Sequence, residues 1–283
     1  MRGGCKQHSV SNALEKPSAS LTSARKALNK TNIIGFHLGP RNAFFVKGAQ
    51  NVSTMFRNTP AINTENFILL AMSTMMNLSP RDLAKFARDK SGRSAKPLPG
   101  HEGMPPSERM WFRYTDLMHR YLSQTRYATA VAASYQRFFG EELERRFPRV
   151  GEWKEARVLC DIMKADMLTA ATVSLLGKRI LEVAPDLFER FWEAHKIFGL
   201  LLYKPPKWAF PSAYATMERF VEAGGRFFPD AWERFDWSGP DVEADWEPVF
   251  GSRFYRELAR WMKQVDFTQR SISGMTSATA MVR

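Results

Sequence analysis

Residues 108–147 read ERMWFRYTDLMHRYLSQTRYATAVAASYQRFFGEELERRF. Trp111, Tyr114, Leu117, Met118, Tyr121 and Leu122 recur at spacings of three and four, which puts one apolar stripe along a helix. Arg109, Arg113, Asp116 and Arg120 recur on a second stripe. After Ser123-Gln124-Thr125 the pattern restarts, and Val131, Tyr135, Phe138, Phe139 and Leu143 mark a second amphipathic helix. The first stripe suits a core. The second lines up guanidinium groups that can grip a carboxylate or phosphate by bidentate hydrogen bonds.

Upstream, the first 32 residues are rich in Ser, Lys and Arg, with Glu15 the only acid. They read as a disordered or mis-predicted leader, a mitochondrial-type presequence being the alternative. Asn42-Ala43-Phe44-Phe45-Val46 is an aromatic, β-branched run bounded by glycines, and predicts a strand. Residues 51–58 predict a short helix and 63–77 a second, whose Met cluster reads as core. Ser79-Pro80 is a helix start, with Ser as cap and Pro at the first helical position; Ser91-Gly92 closes that helix. Residues 96–106 hold four prolines and two glycines, and form a loop.

Downstream, residues 153–176 predict a long helix stopped by Gly177, with Cys160 as an inert core thiol on an apolar face. Residues 185–202 predict an aromatic helix. The run 203–211, YKPPKWAFP, is a Pro-rich break whose rings beside lysines suit a membrane interface or, equally, an interhelix loop. Further helices follow at 212–228 and 252–264, separated by an acidic, Trp-rich linker at 236–247. The ending SISGMTSATAMVR shows no apolar periodicity.

At 283 residues and 44% hydrophobic, the chain can bury a sizeable core in one or two domains. The net charge of +12 is compatible with nucleic acid, an anionic membrane surface or an acidic protein. Lysines and arginines are spread along every helix and the aromatics sit mainly on apolar faces, which speaks against nucleic acid. Cys5 and Cys160 show no paired spacing, pointing away from a disulfide framework or zinc site and towards a reducing, intracellular setting. No window approaches the roughly 18–20 uninterrupted apolar residues of a spanning helix. Phosphate loop, nucleophile elbow, HExxH and paired CxxC are missing from the sequence.

In chain order, several stretches together resemble a known family. Gly39-Pro40-Arg41-Asn42-Ala43-Phe44-Phe45-Val46 and the following Gln50-Asn51-Val52-Ser53-Thr54-Met55-Phe56-Arg57 look like its early strand and helix. Asp89-Lys90-Ser91-Gly92, followed by residues 97–106, is similar to its long loop over the cofactor. Arg113-x5-His119-Arg120-x-Leu122 resembles its cofactor-carboxylate helix. Gly177-x-x-Ile180-Leu181-x-x-x-Pro185-x-Leu187-Phe188-x-x-Phe191-Trp192 looks like the approach to its lid helices, with 203–211 their early turn. The family is the cytochrome P-450 superfamily, of the fungal microsomal type related to sterol 7α-hydroxylases and prostacyclin synthase, and the resemblance is to its amino-terminal half.

That resemblance implies a mainly α fold with a small amino-terminal β element, an incomplete cytochrome P-450 domain over residues 33–270, and a non-family tail at 271–283. It implies haem as cofactor, with Arg120 first, then Arg113 and His119, as propionate partners. A Trp is frequent in the family where this chain has Asp116. It also implies a flavoprotein reductase and a lipophilic substrate as partners, membrane contact through Tyr203, Trp208 and Phe210, and the endoplasmic reticulum membrane as location, the cytoplasm being the alternative since no spanning helix is read. The family's oxygen-activating helix, Glu-x-x-Arg helix and cysteine-ligand loop belong after Ser271. Glu142-x-x-Arg145 and Glu257-x-x-Arg260 match four letters by chance. The expectation is a fragment of a haem-thiolate monooxygenase that, without the thiolate and the oxygen helix, does not bind haem natively and is inactive alone; haem is expected of the complete family member. The alternative is a basic, helical, membrane-associated binding protein without chemistry.

Overall fold

The computed structural model describes residues 31–38, 41–57, 64–147 and 159–280, with isolated positions 26, 29 and 151. The leader expected over residues 1–32 falls almost entirely outside them, as do the side chains of Cys5 and Cys160. Two compact units result, residues 1–67 and 68–283. As expected, the chain is mainly helical with little sheet.

In the first unit, β1 (Ile33–Leu38) and β2 (Arg41–Val46) form an antiparallel hairpin in which Ile33 faces Val46 and Leu38 faces Arg41. The strand read from 42–46 is thus β2, and β1 is its unanticipated partner. Helix α1 (Ala49–Arg57) follows, with Asn51 Nδ2 donating back to the Lys47 carbonyl at 2.8 Å.

Helix α2 (Glu65–Thr74) leads into the second unit. There α3 (Pro80–Arg88) starts as its Ser-Pro signal dictates: Ser79 Oγ accepts from the Asp82 N–H at 3.2 Å, and Pro80 needs no donor at the first turn. A single 3₁₀ turn (Pro106–Glu108) precedes α4 (Met110–Leu122) and α5 (Thr125–Arg146), the two helices of residues 108–147. Then come α6 (Leu159–Leu176), the short α7 (Arg179–Val183) and α8 (Leu187–Leu201).

The single helix expected at 212–228 is two, α9 (Pro211–Gly225) and α10 (Phe227–Arg234). The break follows Gly224-Gly225, where the chain presses against a later helix: a Cβ on Gly224 would lie 2.1 Å from Ser277 Oγ. The acidic stretch 236–247 is no open linker. It carries a 3₁₀ turn (Pro240–Glu243) and β3 (Trp246–Glu247), which pairs with β4 (Gly251–Ser252). Glu247 is buried, accepting from the N–H groups of Val249 at 2.7 Å and Phe250 at 2.5 Å. Helix α11 (Arg253–Gln264) lies where a helix was expected, and starts on the Ser252 cap.

Residues 271–280 do not trail from the fold. Gln269–Thr279 is α12, and Ser271 to Ser277 are all buried, most of them against α9 or the α2–α3 turn. A Cβ on Gly274 would lie 1.5 Å from the Met76 carbonyl oxygen. Small residues, rather than apolar ones, let this helix sit inside.

Phe86 centres one part of the core, with ring centroids of Trp111 at 5.1 Å, Phe267 at 6.1 Å, and Tyr114 and Trp261 at 6.3 Å. Phe250 centres another, with Trp237 at 5.3 Å, Phe235 at 5.6 Å and Tyr255 at 5.8 Å. Between α6 and the small hairpin, backbone meets backbone. Gly177 (φ +88°) and Gly251 (φ +72°) adopt left-handed conformations, and a Cβ on Gly177 would lie 2.6 Å from the Pro248 carbonyl oxygen.

Asp82 joins α3 to α12. Its Oδ2 accepts from Thr268 N–H at 2.9 Å and from the hydroxyls of Thr268 at 2.7 Å and Ser79 at 2.8 Å. Burial opposes ionisation, yet hydrogen bonds from Ser271, Thr268 and Ser79 outweigh it and hold this carboxyl far below its ordinary value of 3.8. A carboxylate with a depressed pKa contributes stability fully above its unfolded value and loses it as pH falls through the folded one. Asp82→Asn is therefore expected to cost about 2 kcal/mol at neutral pH, and to flatten the fall in denaturant midpoint below about pH 4. Urea melts of both proteins across that range check this; equal midpoints at neutral pH would reject it.

Candidate functional site

The N-terminus of α4 and the loop before it are built as one piece. Arg109, buried at the start of α4, donates from Nε to Ser91 Oγ at 3.0 Å, from Nη1 to the Ala95 carbonyl at 2.7 Å and from Nη2 to the Ser94 carbonyl at 2.5 Å. Asp89, also buried, accepts from the Ser91 N–H at 2.9 Å and hydroxyl at 2.7 Å through one oxygen, and from the Trp111 N–H at 2.9 Å through the other. Trp111 completes the joint by donating Nε1–H to the Phe86 carbonyl at 2.9 Å. The loop thus has little freedom to move relative to the helix.

Within that clamp sits Arg93. Its guanidinium carbon lies 5.0 Å from the Trp111 ring, and its Nη2 is buried with no hydrogen-bond partner among the described residues. Four other buried side-chain atoms lack partners: Asp82 Oδ1, Thr172 Oγ1, and Nε of Arg253 and Arg256. The two arginines belong to guanidiniums paired with Glu243 and Glu247, Asp82 has Lys85 Nζ at 3.1 Å, and Thr172 is neutral. Arg93 has no such carboxylate among the described residues.

The residues chosen from sequence sit farther along α4. Arg120 is half exposed and donates to Asp116 Oδ2 at 3.1 Å, an i,i+4 pair. Arg113 approaches the same oxygen at 3.8 Å. His119 is exposed. One carboxylate thus serves two guanidiniums, which leaves net positive charge on this face. Asp116 occupies part of the donor capacity that an anionic ligand would use.

Arg109 belongs to the same sequence stripe but serves the loop instead. Sequence periodicity could not separate it from Arg113, because the distinction depends on where 91–95 folds back. The two Glu-x-x-Arg matches are helix-surface pairs: Glu142 with Arg145, and Glu257 with Arg260 at 3.1 Å.

On the second candidate surface, Trp208 is 85% exposed and Tyr203 53% exposed, whereas Phe210 is half-buried and packs on the core. Lys207 Nζ lies 5.3 Å from the Tyr214 ring, and Tyr214 donates its hydroxyl to the Pro205 carbonyl at 2.6 Å, tying the loop to α9. No helix among the described residues is long and apolar enough to cross a membrane.

Arg109→Met is expected to cost about 3 kcal/mol, since it leaves two carbonyls and a hydroxyl without their charged donor. It should also speed amide exchange at Ser91 and Leu98 more than in α9. Uniform exchange rates across loop and helix would contradict the clamp.

The chain is similar in sequence to characterised proteins. The chain is 34% identical over 251 residues to the cytochrome P450 monooxygenase calL of Penicillium decumbens, covering 89% of this chain and 46% of that protein. It is 28% identical over 120 residues to the cytochrome P450 monooxygenase fsoE of Humicola fuscoatra, covering 42% of this chain and 21% of that protein. It is 25% identical over 129 residues to the cytochrome P450 monooxygenase efuG of Hormonema carpetanum, 46% of this chain and 22% of that protein. The chain therefore spans about half the length, or less, of the curated relatives it matches. No family model matches it, and no solved structure does.

Proposed function

Because this chain belongs to the cytochrome P450 superfamily and matches part of its fungal monooxygenases, we propose that it is part of a haem-thiolate monooxygenase that oxidises a lipophilic substrate, a sterol or other lipid. The 34% identity over 89% of the chain carries the reading. Bound haem, held by a cysteine thiolate that favours O–O cleavage, supplies the oxygen chemistry. The chain's own residues contribute position and charge.

The loop–α4 joint fits such a cofactor. A propionate needs charge-assisted donors in a partly desolvated setting, and the joint offers a buried guanidinium nitrogen without a partner at Arg93. The surplus cationic face of Arg113 and Arg120, with His119 beside them, lies along the same helix. Asp89 and Arg109 keep that helix and loop in register. The net charge of +12 supports docking to an acidic flavoprotein reductase.

Neither Cys5 nor Cys160 follows a Phe-x-x-Gly…Cys pattern in the sequence. Residues 1–283 by themselves are therefore proposed not to form the thiolate-ligated centre. Reconstituted with hemin, reduced and exposed to carbon monoxide, they are expected to lack the red-shifted Soret band that marks thiolate ligation. Appearance of that band would overturn the inactive reading.

The exposed Trp208 and Tyr203, next to Lys204 and Lys207, favour contact with a membrane surface, with Phe210 anchoring the loop from behind. The endoplasmic reticulum membrane is the location this reading assigns. Trp208→Ala is expected to weaken binding to anionic phospholipid vesicles by roughly tenfold, in line with about 1.4 kcal/mol per tenfold change. Sedimentation with vesicles measures it; unchanged partitioning would remove the loop from the contact.

A further inference from the structure

We propose that the exposed face of α5 is a docking track for an acidic helix of a partner protein, anchored by Arg126 and Arg137. It is independent of the haem reading above. Of the four arginines on α5, Arg145 pairs with Glu142 and Arg146 with Asp166. Arg126 and Arg137 are exposed and have no carboxylate partner among the described residues. Glu141, one turn beyond Arg137, is taken by Lys178 at 3.2 Å.

Both free guanidiniums are nonetheless held in place. The guanidinium carbon of Arg137 lies 4.4 Å from the Phe138 ring and 4.9 Å from the ring of Trp246, which meets α5 from β3. That of Arg126 lies 5.2 Å from the Tyr127 ring, itself packed on Tyr121 at 4.9 Å. A stacked guanidinium keeps its planar fork of donors available and has less side-chain entropy left to lose on binding. Such arginines also serve simply to cover apolar rings, so stacking alone does not make a docking site.

Alignment does. The two arginines stand about three turns, or roughly 16 Å, apart along α5 and only about 20° apart around it. Between and beyond them the same line carries Thr129, Ala130, Ala133 and Gly140, and a Cβ on Gly140 would meet no atom within 4 Å. Small side chains let a second helix approach closely, and a straight track of this length suits a helix rather than a loop. Its charge complement is a pair of carboxylates at the same three-turn spacing.

The test is fluorescence anisotropy at low salt, with the full chain titrated into two labelled, stapled helical peptides of identical composition and charge. One carries glutamates about three turns apart on one face, the other about two and a half turns apart on opposite faces. The first is expected to bind roughly fivefold more tightly, the size of an exposed charge pair whose geometry is met. Arg126→Gln and Arg137→Gln should each erase that preference. Ala133→Trp, which fills the track and leaves every charge in place, should erase it too. Lys196→Gln, an equal change of net charge on α8, should leave it intact. Circular dichroism checks that each variant keeps its helices; where Arg137→Gln does not, Arg126→Gln decides.

Equal affinity of the parent for both peptides overturns the proposal, as does a preference that survives in Arg126→Gln. Loss of the preference in Lys196→Gln reduces the effect to net charge and overturns it as well. Phosphatidylserine vesicles that displace the first peptide from the parent, and that lose their hold in Arg126→Gln, would assign this face to a membrane surface instead.

Discussion

Asp82 stands at the start of two helices whose first residues are far apart in the chain, and its charge is what both need. The N-terminal N–H groups of α3 and α12 have no intrahelical acceptors, and the caps Ser79 and Thr268 take up some of them. The carboxylate then binds both caps to each other, and Ser271 joins from the next turn, its Oγ accepting from the Ser79 N–H at 3.0 Å. Placed where two positive helix ends converge, a negative charge is stabilised by both. The Phe86 lattice lies directly behind this knot and includes Phe267, the residue before the second cap. Core and knot therefore depend on one another.

The rest of the second unit is assembled around joints of the same kind, polar side chains bridging elements where apolar packing alone would allow sliding. Arg146 and Asp166 bind α5 to α6 through two bonds of 2.7 and 2.6 Å. Ser252 caps α11 and also donates to the Leu175 carbonyl at the end of α6, at 2.9 Å. Trp246 reaches back to the Val173 carbonyl at 3.0 Å. Each joint engages a residue at or near a helix end. The candidate site is one more example, with Asp89 and Arg109 holding the loop on α4.

How much of this was legible follows from the range of the forces involved. The helices of 108–147, the Ser79-Pro80 start and the Pro-rich loop are written in local periodicity and local capping, and the structure reproduces them. Helix α12 escaped because Ser271, Gly274, Thr276 and Ser277 carry no apolar stripe; what buries them is the close approach of the α9 and Met76 backbones. The division at Gly225 escaped for the same reason, viewed from the other side. Among the cationic residues, sequence picked out the α4 stripe but could not rank its members. Arg109 and Arg113 differ only in whether a distant loop offers carbonyls, and Arg93 carries no periodic signal.

The glycine-to-serine seam between α9 and α12 has a mechanical consequence. Gly224 faces Ser277 and Gly225 faces Ser273 with no space for an added carbon, and Ser277 Oγ also lies 3.3 Å from the Phe220 carbonyl. Surfaces meshed this tightly neither slide nor part by small steps, so α9 and α12 travel as one lever. The loop ahead of α9 is fastened to it by Tyr214. Lys204, at the start of that loop, stands in the left-handed region at φ +50°. The exposed rings of Tyr203 and Trp208 lie on or beside that loop, so whatever surface they rest on gains purchase on α9 and, through the seam, on α12.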